Sequence, residues 1–352
     1  MNTRYLFAFL VVFVLFLVSW LGAAAGLGWL FGVVIPYAAV VVFVVGFARK
    51  VLSWAASPVP FAIPTTAGQG RSFPWIPQAK IDNPASNWGV FLRLLFEVLT
   101  FRSLFRNTRM RLKEEKLTYQ LEIFLWVGAL AFHYAFLTVL LRHTRFFLEP
   151  TPWCIQVLET LDSFFRVEIL YPGVQFGLPA VYLSGFVLLA AVVYLALRRI
   201  VIPSVRYVSL ASDYFPLLLI FGIAFSGILM RYVTKVDIRA VKELTLGLVT
   251  FRPTVPEGIG AVFYIHLFLV CTLLAYFPYS KLMHLGGVFL SPTRNLRGDT
   301  RAYRHVNPWN YPVPVHTYEE YEEEFRDKMV EAGLPVEKPL ADAAEEAAQE
   351  KE

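Results

Sequence analysis

Six apolar runs of about 20 residues set the strongest limit on what this chain can fold into. They lie at 5–24, 28–48, 120–142, 178–198, 211–231 and 259–282. An apolar helix of that length spans a bilayer, where the backbone must satisfy its own hydrogen bonds. Because 57% of the residues are hydrophobic and only 17% are charged, we predict an all-α integral membrane protein with six transmembrane helices.

The basic residues predict the orientation of these helices. The segment 49–119 contains eleven Lys or Arg residues against four acidic residues. By the positive-inside rule it faces the cytoplasm, which predicts a multi-pass protein of the inner (cytoplasmic) membrane with both termini cytoplasmic. Within it, NWGVFLRLLFEVLTFRSLFRNTRMR is predicted to form an amphipathic basic helix in the inner interface. A helix packed against a neighbouring subunit is the alternative.

Four of the six histidines fall inside or at the edges of two apolar runs: His133, His143, His266 and His284. Ionisable side chains are costly in a bilayer and are functional candidates there. The third and sixth runs are antiparallel, so His143 and His266 should lie near the outer side. His133 and His284 should then lie nearer the inner side. Two such pairs on two helices predict the axial ligands of two b-type haems.

The histidines also allow other interpretations. Ordinary hydrogen-bonded core histidines are one alternative, and a di-metal site is another, although it would need carboxylates and only Glu122 is available. Cys154 and Cys271 are too few to hold an iron–sulfur cluster. The sequence has no CxxCH, so a haem would be held non-covalently. A transporter and a structural anchor without redox work are rival functions, but repeated halves and broken helices are not visible.

The sixth run, HLFLVCTLLAYFPYSKLMH, resembles the last haem-bearing helix of the respiratory nitrate reductase gamma-subunit family of cytochromes b. The histidine spacings of ten and eighteen are similar too. A closer resemblance is to the DsrM branch, the membrane cytochromes of sulfite-reduction-associated DsrMKJOP complexes. It is carried by LRHTRFFLEP, KVDIRAVKELTLGLVTF and FLSPTRNLRGDTRAYRHVNPWNYPVPVHTYEEYEEEF. The resemblance covers about 120–335.

This resemblance implies a nitrate reductase gamma-like dihaem four-helix core with two additional N-terminal helices. The predicted division is 1–48 for two N-terminal transmembrane helices, 49–119 for a basic cytoplasmic or interfacial segment, 120–290 for the dihaem cytochrome b core and 291–352 for a cytoplasmic arm and acidic tail. The arm is predicted to end in a short acidic helix, with His305 and His316 in packing or hydrogen-bonding roles.

The resemblance also implies a function. His143 and His266 would bind the outer haem b, and His133 and His284 the inner one. Menaquinol would be oxidised near the outer face in dissimilatory sulfite or sulfate reduction, with electrons passing to a cytoplasmic iron–sulfur subunit. Its implied partners are that DsrK-like, heterodisulfide reductase-like subunit, a second integral membrane subunit, a periplasmic multihaem cytochrome c, a periplasmic iron–sulfur protein and the lipid bilayer, but no nucleic acid.

The chain would thus be one subunit of a quinol-linked oxidoreductase complex, and whether it is an enzyme alone stays open. A gamma-type cytochrome b subunit of another quinol-linked complex, such as nitrate or heterodisulfide reductase, is the alternative. Quinol oxidation releases two protons, which need acceptors near the outer haem. The quinol-site candidates in the external loops are Arg142, Arg145, Glu149, Lys235 and Lys242.

Three further expectations concern single residues. The nitrate reductase relatives carry a quinol-site lysine at a position that corresponds here to the neighbourhood of Ser163, where this loop has none. Arg231 and Lys281 are candidates to neutralise haem propionates. Pro278 lacks a backbone donor and is predicted to kink the sixth helix before His284.

Overall fold

The computed structural model describes residues 3–57, 68–113, 115–164, 168–171, 174–177, 181–291, 295–299, 303 and 314–338. Within these residues, six helices are long and apolar enough to cross a membrane, which confirms the predicted number. They are Arg4–Ala24, Leu30–Ala55, Ile123–Phe146, Leu183–Val201, Ala211–Thr234 and Ala261–Tyr279. The protein is a mostly helical membrane protein, and each span begins within a few residues of its predicted start.

The regular elements follow in chain order. The α-helices are α1 (Arg4–Ala24), α2 (Ile35–Ala55), α3 (Asn87–Thr100), α4 (Arg102–Phe105), α5 (Ile123–His143), α6 (Trp153–Asp162), α7 (Leu183–Val201), α8 (Pro203–Val208), α9 (Ala211–Leu229), α10 (Ile238–Val249), α11 (Ala261–Tyr276), α12 (His284–Leu290) and α13 (Tyr318–Glu331). Three antiparallel two-stranded ribbons pair β1 (Thr108–Lys113) with β2 (Lys116–Leu121), β3 (Ser163–Phe164) with β6 (Val181–Tyr182), and β4 (Glu168–Tyr171) with β5 (Val174–Gly177).

The membrane helices pack in a row. Helix α5 packs on α7, α7 on α9 and α9 on α11, while α1 covers both α9 and α11. Leu219 of α9 and Leu269 of α11 are almost fully buried at their contact. The row is curved, because the histidine rings of α5 lie against those of α11 and α12.

Polar contacts stabilise one end of the bundle and an apolar cluster stabilises the other. At the end where α1 begins, Glu122 before α5 pairs with Arg198 of α7 at 2.9 Å, and Arg4 donates to the Ser209 carbonyl at 3.2 Å. At the opposite end, α10 packs in an apolar cluster with the π-helical turn Leu30–Val34 that precedes α2. Each end of the bundle is thus closed by contacts between segments distant in sequence.

The segment after α2 differs from the prediction. The single amphipathic helix predicted to run to Arg111 is wrong, because α3 ends at Thr100 and Phe101 takes a left-handed conformation with φ 50°. Helix α4 and the β1–β2 hairpin follow. Helix α3 is fastened to α5, since Trp126 donates to the carbonyl of Thr100 and Tyr134 to that of Leu99, both at 2.7 Å. The only basic residue of α3, Arg93, is buried.

The predicted sixth helix is broken rather than continuous. Helix α11 ends at Tyr276, and two 3₁₀ turns, Phe277–Tyr279 and Lys281–Met283, separate it from α12. The buried Pro278 lies in the first turn, where it removes a backbone donor. The predicted distortion at Pro278 is confirmed, and it takes the form of a break in the helix rather than a kink.

A second compact unit comprises residues 55–61 and 305–352. Of these, the structure describes 55–57 and 314–338. Helix α13 begins with a capping box in which Thr317 and Glu320 bond each other's backbone N–H. The backbone N–H groups of Glu337 and Lys338 donate to Glu322, which holds the pKa of that carboxyl below its usual range. This confirms the predicted short acidic helix; His305 and the final residues lie outside the described part.

Candidate functional site

The four membrane histidines meet as two pairs, each joining α5 to the α11–α12 segment. The ring centroids of His133 and His284 are 5.9 Å apart, with their planes at 82°. Those of His143 and His266 are 6.3 Å apart, with planes at 17°. The structure therefore brings together the same partners that the antiparallel topology predicts, at two levels of the bundle.

The ring nitrogens are oriented alike in all four histidines, because each Nδ1 atom is hydrogen-bonded within the protein. The partners are the carbonyls of Ala129 for His133 (2.8 Å), Val139 for His143 (2.6 Å) and Lys281 for His284 (2.8 Å), and the hydroxyl of Ser226 for His266 (3.0 Å). A carbonyl only accepts, so Nδ1 of His133, His143 and His284 carries the proton and Nε2 of these residues keeps its lone pair. The Ser226 hydroxyl donates its own proton to a carbonyl of α9, which leaves it an acceptor for Nδ1 of His266. Metal-ligating histidines typically have such an outer bond.

The separations within the pairs fit one metal between two imidazoles. An imidazole nitrogen binds a metal at about 2.0–2.1 Å, and the ring centre lies about 1.1 Å further on, so two trans imidazoles have centroids about 6 Å apart. Both pairs match this distance. In the described part of the chain no group of three or more His, Cys, Asp or Glu side chains comes together. Each site thus offers two nitrogens, which fits a metal that brings its other ligands, as iron does in haem.

Aromatic rings surround the His133–His284 pair. The rings of Phe101 and Phe132 each lie 4.9 Å from the His133 ring and stand almost perpendicular to it. Phe101 reaches His133 because the left-handed turn after α3 redirects the chain against α5. His284, the first residue of α12, is exposed. Sequence reasoning missed Phe101, since nothing in the apolar pattern marks the end of α3.

Helix α9 lies against the His143–His266 pair. Gly227 faces the His266 ring so closely that a Cβ atom there would be 3.3 Å from Cε1. Its neighbour Ser226 is buried and accepts the Nδ1 proton of His266. The ring of Phe146, just beyond α5, lies 5.9 Å from that of His143. Neither Ser226 nor Gly227 was recognised from the sequence, because their partner is about 40 positions away.

Most of the predicted quinol-site residues lie in ion pairs. Arg142 pairs with Asp162, Arg145 with Glu159, and Lys242 with Glu149, whose side chain is 62% exposed. These partnerships leave each cation neutralised by a carboxylate. Lys235 is exposed and has a left-handed conformation with φ 49°.

Tyr182 is the central ring of this end of the bundle, and sequence reasoning missed it. The guanidinium carbon of Arg142 lies 3.6 Å from its ring centroid, and that of Arg231 lies 4.0 Å away. The Arg145 guanidinium is 3.4 Å from its hydroxyl. Guanidinium groups stack favourably on aromatic faces, so Tyr182 gathers three cations beside the end of α5. Arg231 is thus placed at this end, whereas Lys281 lies at the other.

Lys281 is paired across helices. Its ammonium group lies 2.6 Å from the Asp213 carboxylate at the start of α9, and Asp213 is buried. The candidate propionate-binding cation near His284 is therefore already in an ion pair. The backbone carbonyl of the same lysine receives the His284 Nδ1 proton.

A membrane bundle with two imidazole pairs, at two levels between α5 and the α11–α12 segment, defines the membrane cytochrome b class. The family model for the nitrate reductase gamma subunit matches residues 88–306. The matched region, more than half of the chain, contains all four paired histidines. The chain belongs to the nitrate reductase gamma subunit family.

Two related proteins align with most of this chain. The Hdr-like menaquinol oxidoreductase cytochrome b-like subunit of Archaeoglobus fulgidus is 45% identical over 291 residues, which is 81% of this chain and 84% of the relative. The protein with the same description from Archaeoglobus profundus is 40% identical over 289 residues, 80% of this chain and 83% of the relative. Similarity at this level extends well beyond the histidine-bearing helices.

Proposed function

We propose that this chain is the dihaem b subunit of a menaquinol-linked respiratory complex. The observation that carries the proposal is the pairing of four imidazoles across the bundle, each with Nδ1 bonded and Nε2 available. A haem b bound by such a pair supplies an iron that takes up and releases one electron at a time. The relatives, described as Hdr-like menaquinol oxidoreductase cytochrome b-like subunits, support the quinol link.

The two histidine pairs are assigned to opposite sides of the membrane. The basic segment 49–119 supports a cytoplasmic end at which α1 begins. His143 and His266 would then hold the outer haem, and His133 and His284 the inner haem. We propose 120–290 as the dihaem core, preceded by two N-terminal helices in 1–48 and the basic segment, and followed by the arm and tail at 291–352.

Quinol oxidation is assigned to the outer end. Menaquinol would lose two electrons and two protons to become menaquinone, with the electrons entering at the His143–His266 pair. Glu149 is the carboxylate among the candidate residues and would accept a proton, since its side chain is 62% exposed and is held by Lys242. Arg142, whose guanidinium is fixed by Asp162 and stacked on Tyr182, would help to position the quinol head group.

The electrons would leave from the His133–His284 pair to a cytoplasmic iron–sulfur partner. We propose a DsrM-like role in dissimilatory sulfite reduction, with a DsrK-like, heterodisulfide reductase-like subunit as acceptor. A second membrane subunit, a periplasmic multihaem cytochrome c and a periplasmic iron–sulfur protein would complete the complex. The description of the relatives as Hdr-like equally favours a second candidate, the cytochrome b of a heterodisulfide reductase-type complex with another acceptor.

The direction of electron entry can be tested with the purified chain in anaerobic vesicles. Addition of a reduced menaquinone analogue should reduce both haems in the wild type. In His143→Ala the inner haem should remain but be reduced much more slowly, whereas in His133→Ala the outer haem should be reduced at the normal rate. Normal reduction of the inner haem in His143→Ala would overturn entry at the outer pair.

A further inference from the structure

Helix α9 contributes no histidine, yet it contacts His266 directly and is linked to His284 through Lys281. Ser226 bonds the Nδ1 atom of His266 directly at 3.0 Å. Asp213 pairs at 2.6 Å with Lys281, whose carbonyl bonds Nδ1 of His284 at 2.8 Å. Thirteen residues separate the two positions on α9, roughly 20 Å along the helix. The two contacts therefore lie at the two levels of the histidine pairs.

The hydroxyl of Ser226 is oriented as an acceptor. It lies 2.7 Å from the Gly222 carbonyl and 3.0 Å from the Ile223 carbonyl, so its proton is used within α9. Its remaining lone pair accepts the Nδ1 proton of His266. Gly227 next to it leaves room for the ring. This contact between helices fixes both the tautomer and the rotation of the imidazole.

The connection from Asp213 to His284 depends on the break in the sixth helix. Lys281 lies in a 3₁₀ turn, and its carbonyl accepts both the backbone N–H and the Nδ1 proton of His284, three residues later. The turn has no long helix to hold it, but the buried Asp213 carboxylate holds the lysine side chain. Asp213 itself is fixed by the backbone N–H of Leu210 at 2.9 Å. The orientation of His284 therefore depends on Asp213 of α9, through Lys281.

The histidines of α5 are held differently. His133 and His143 each bond the carbonyl four residues earlier in their own helix, so no other helix is needed to set the Nδ1 bond. We propose that α9 is the positioning helix of the cytochrome, with Ser226 and Asp213 setting the orientation and basicity of His266 and His284. The inference rests on the proposed haem ligation and adds residues that set the properties of each haem.

Ser226 can be tested by redox titration of the purified chain. Loss of the Nδ1 acceptor makes the imidazole a weaker donor to ferric iron, so Ser226→Ala should raise the midpoint potential of one haem and leave the other unchanged. Ser226→Thr keeps a hydroxyl and should restore the lower potential. Ser19→Ala is the matched control, because Ser19 is a buried membrane serine that bonds only carbonyls of its own helix.

Unchanged potentials in Ser226→Ala, or an equal shift in Ser19→Ala, would overturn the role of Ser226. If the wild type bound no haem, the proposed function itself would fail, which is a different outcome. If Ser226→Ala lost the outer haem completely, Ser226→Thr would decide: recovery of the haem supports the hydroxyl bond, and failure to recover it contradicts the bond.

The positioning role of Asp213 can be tested with two variants that change the charge in opposite directions, one at Asp213 and one at Lys281. Asp213→Asn and Lys281→Gln both break the ion pair, so both should change the ferric electron paramagnetic resonance signal of the inner haem in the same way. A purely electrostatic effect would instead move its potential up in Asp213→Asn and down in Lys281→Gln, with an unchanged signal, and would overturn positioning. Glu122→Gln, which breaks an ion pair at the same end of the bundle, should leave the signal unchanged.

Discussion

The His143–His266 pair lies between two long helices, whereas the His133–His284 pair takes one member from a seven-residue helix that follows a break in the backbone. The first pair has nearly parallel imidazole planes at 17° and the second nearly perpendicular planes at 82°. Helix α5 and the α11–α12 segment thus hold their two imidazole pairs in two different geometries. The difference arises where Pro278 interrupts the second element.

The surroundings of the two pairs differ as well. The His143–His266 pair is placed by the membrane helices themselves, through Ser226 and Gly227 of α9. The His133–His284 pair also depends on a segment outside the spanning helices, because Phe101 after α3 lies against His133. Changes near Phe101 should therefore affect the His133–His284 site and leave the His143–His266 site unchanged.

The largest predicted effect is the loss of haems by pairs. His143→Ala and His266→Ala should each remove the same haem, because both imidazoles of the pair would hold it. His133→Ala and His284→Ala should each remove the other. Difference spectra of the four purified variants measure this, and His316→Ala is the control that should keep both haems. Removal of one common haem by His143→Ala and His133→Ala would contradict the pairing.

A second prediction uses the close approach of α9 to His266. Gly227→Leu places a branched side chain where even a Cβ would lie 3.3 Å from the ring, so the outer haem should be bound about 10-fold more weakly. Gly185→Leu is the matched control, since its nearest neighbour would be 3.9 Å away. Haem occupancy after dialysis measures both variants. Equal loss of both haems in Gly227→Leu would indicate general misfolding and contradict a local contact.

The third prediction distinguishes the pairs spectroscopically. Perpendicular imidazole planes leave the iron orbitals nearly equal in energy, whereas parallel planes split them. The ferric haem at His133–His284 should therefore give its low-field resonance at a larger g value than the haem at His143–His266. Electron paramagnetic resonance of His143→Ala and His133→Ala assigns the two signals. Indistinguishable signals from the two variants would contradict the plane angles of 82° and 17°.

The smallest predicted effect concerns the segment that carries Phe101. The Arg102 guanidinium beside Asp82, with Arg106, holds the pKa of that carboxyl below its usual value of 3.8. A lowered pKa means that this stabilisation is complete above 3.8 and is lost only as pH falls through the folded-state value. Asp82→Asn should destabilise the segment by about 1 kcal/mol, or about fivefold in local opening.

Hydrogen exchange of residues 82–106 measures the opening. The ratio of the local opening in Asp82→Asn to that in the wild type should be the same at pH 7 and pH 5, because the Asp82 carboxyl of the wild type stays ionised at both. A ratio that disappears at pH 5 would contradict the lowered pKa. Hydrogen exchange in α9 should be unchanged at both pH values. The effect of Asp82→Asn would then be confined to the segment beside the His133–His284 pair.

The six spans and the two histidine pairs could be predicted because both depend on local hydrophobicity and on antiparallel order. The end of α3 could not, since the apolar pattern continues through Phe101 and only its backbone conformation turns the chain. Helix α10, in the external segment that carries Lys242, could not be predicted either, because its apolar face is buried against the turn before α2, which is distant in sequence. Ser226 and Tyr182 act through contacts between distant segments, which no local pattern records.

The central claim is that each pair of histidines holds one haem b. The most direct test is the pyridine haemochrome assay on the purified wild-type chain, with the protein quantified by amino-acid analysis. The account predicts two haems b per polypeptide. A value of one or zero, in protein that is folded and saturated with haem during expression, would contradict it.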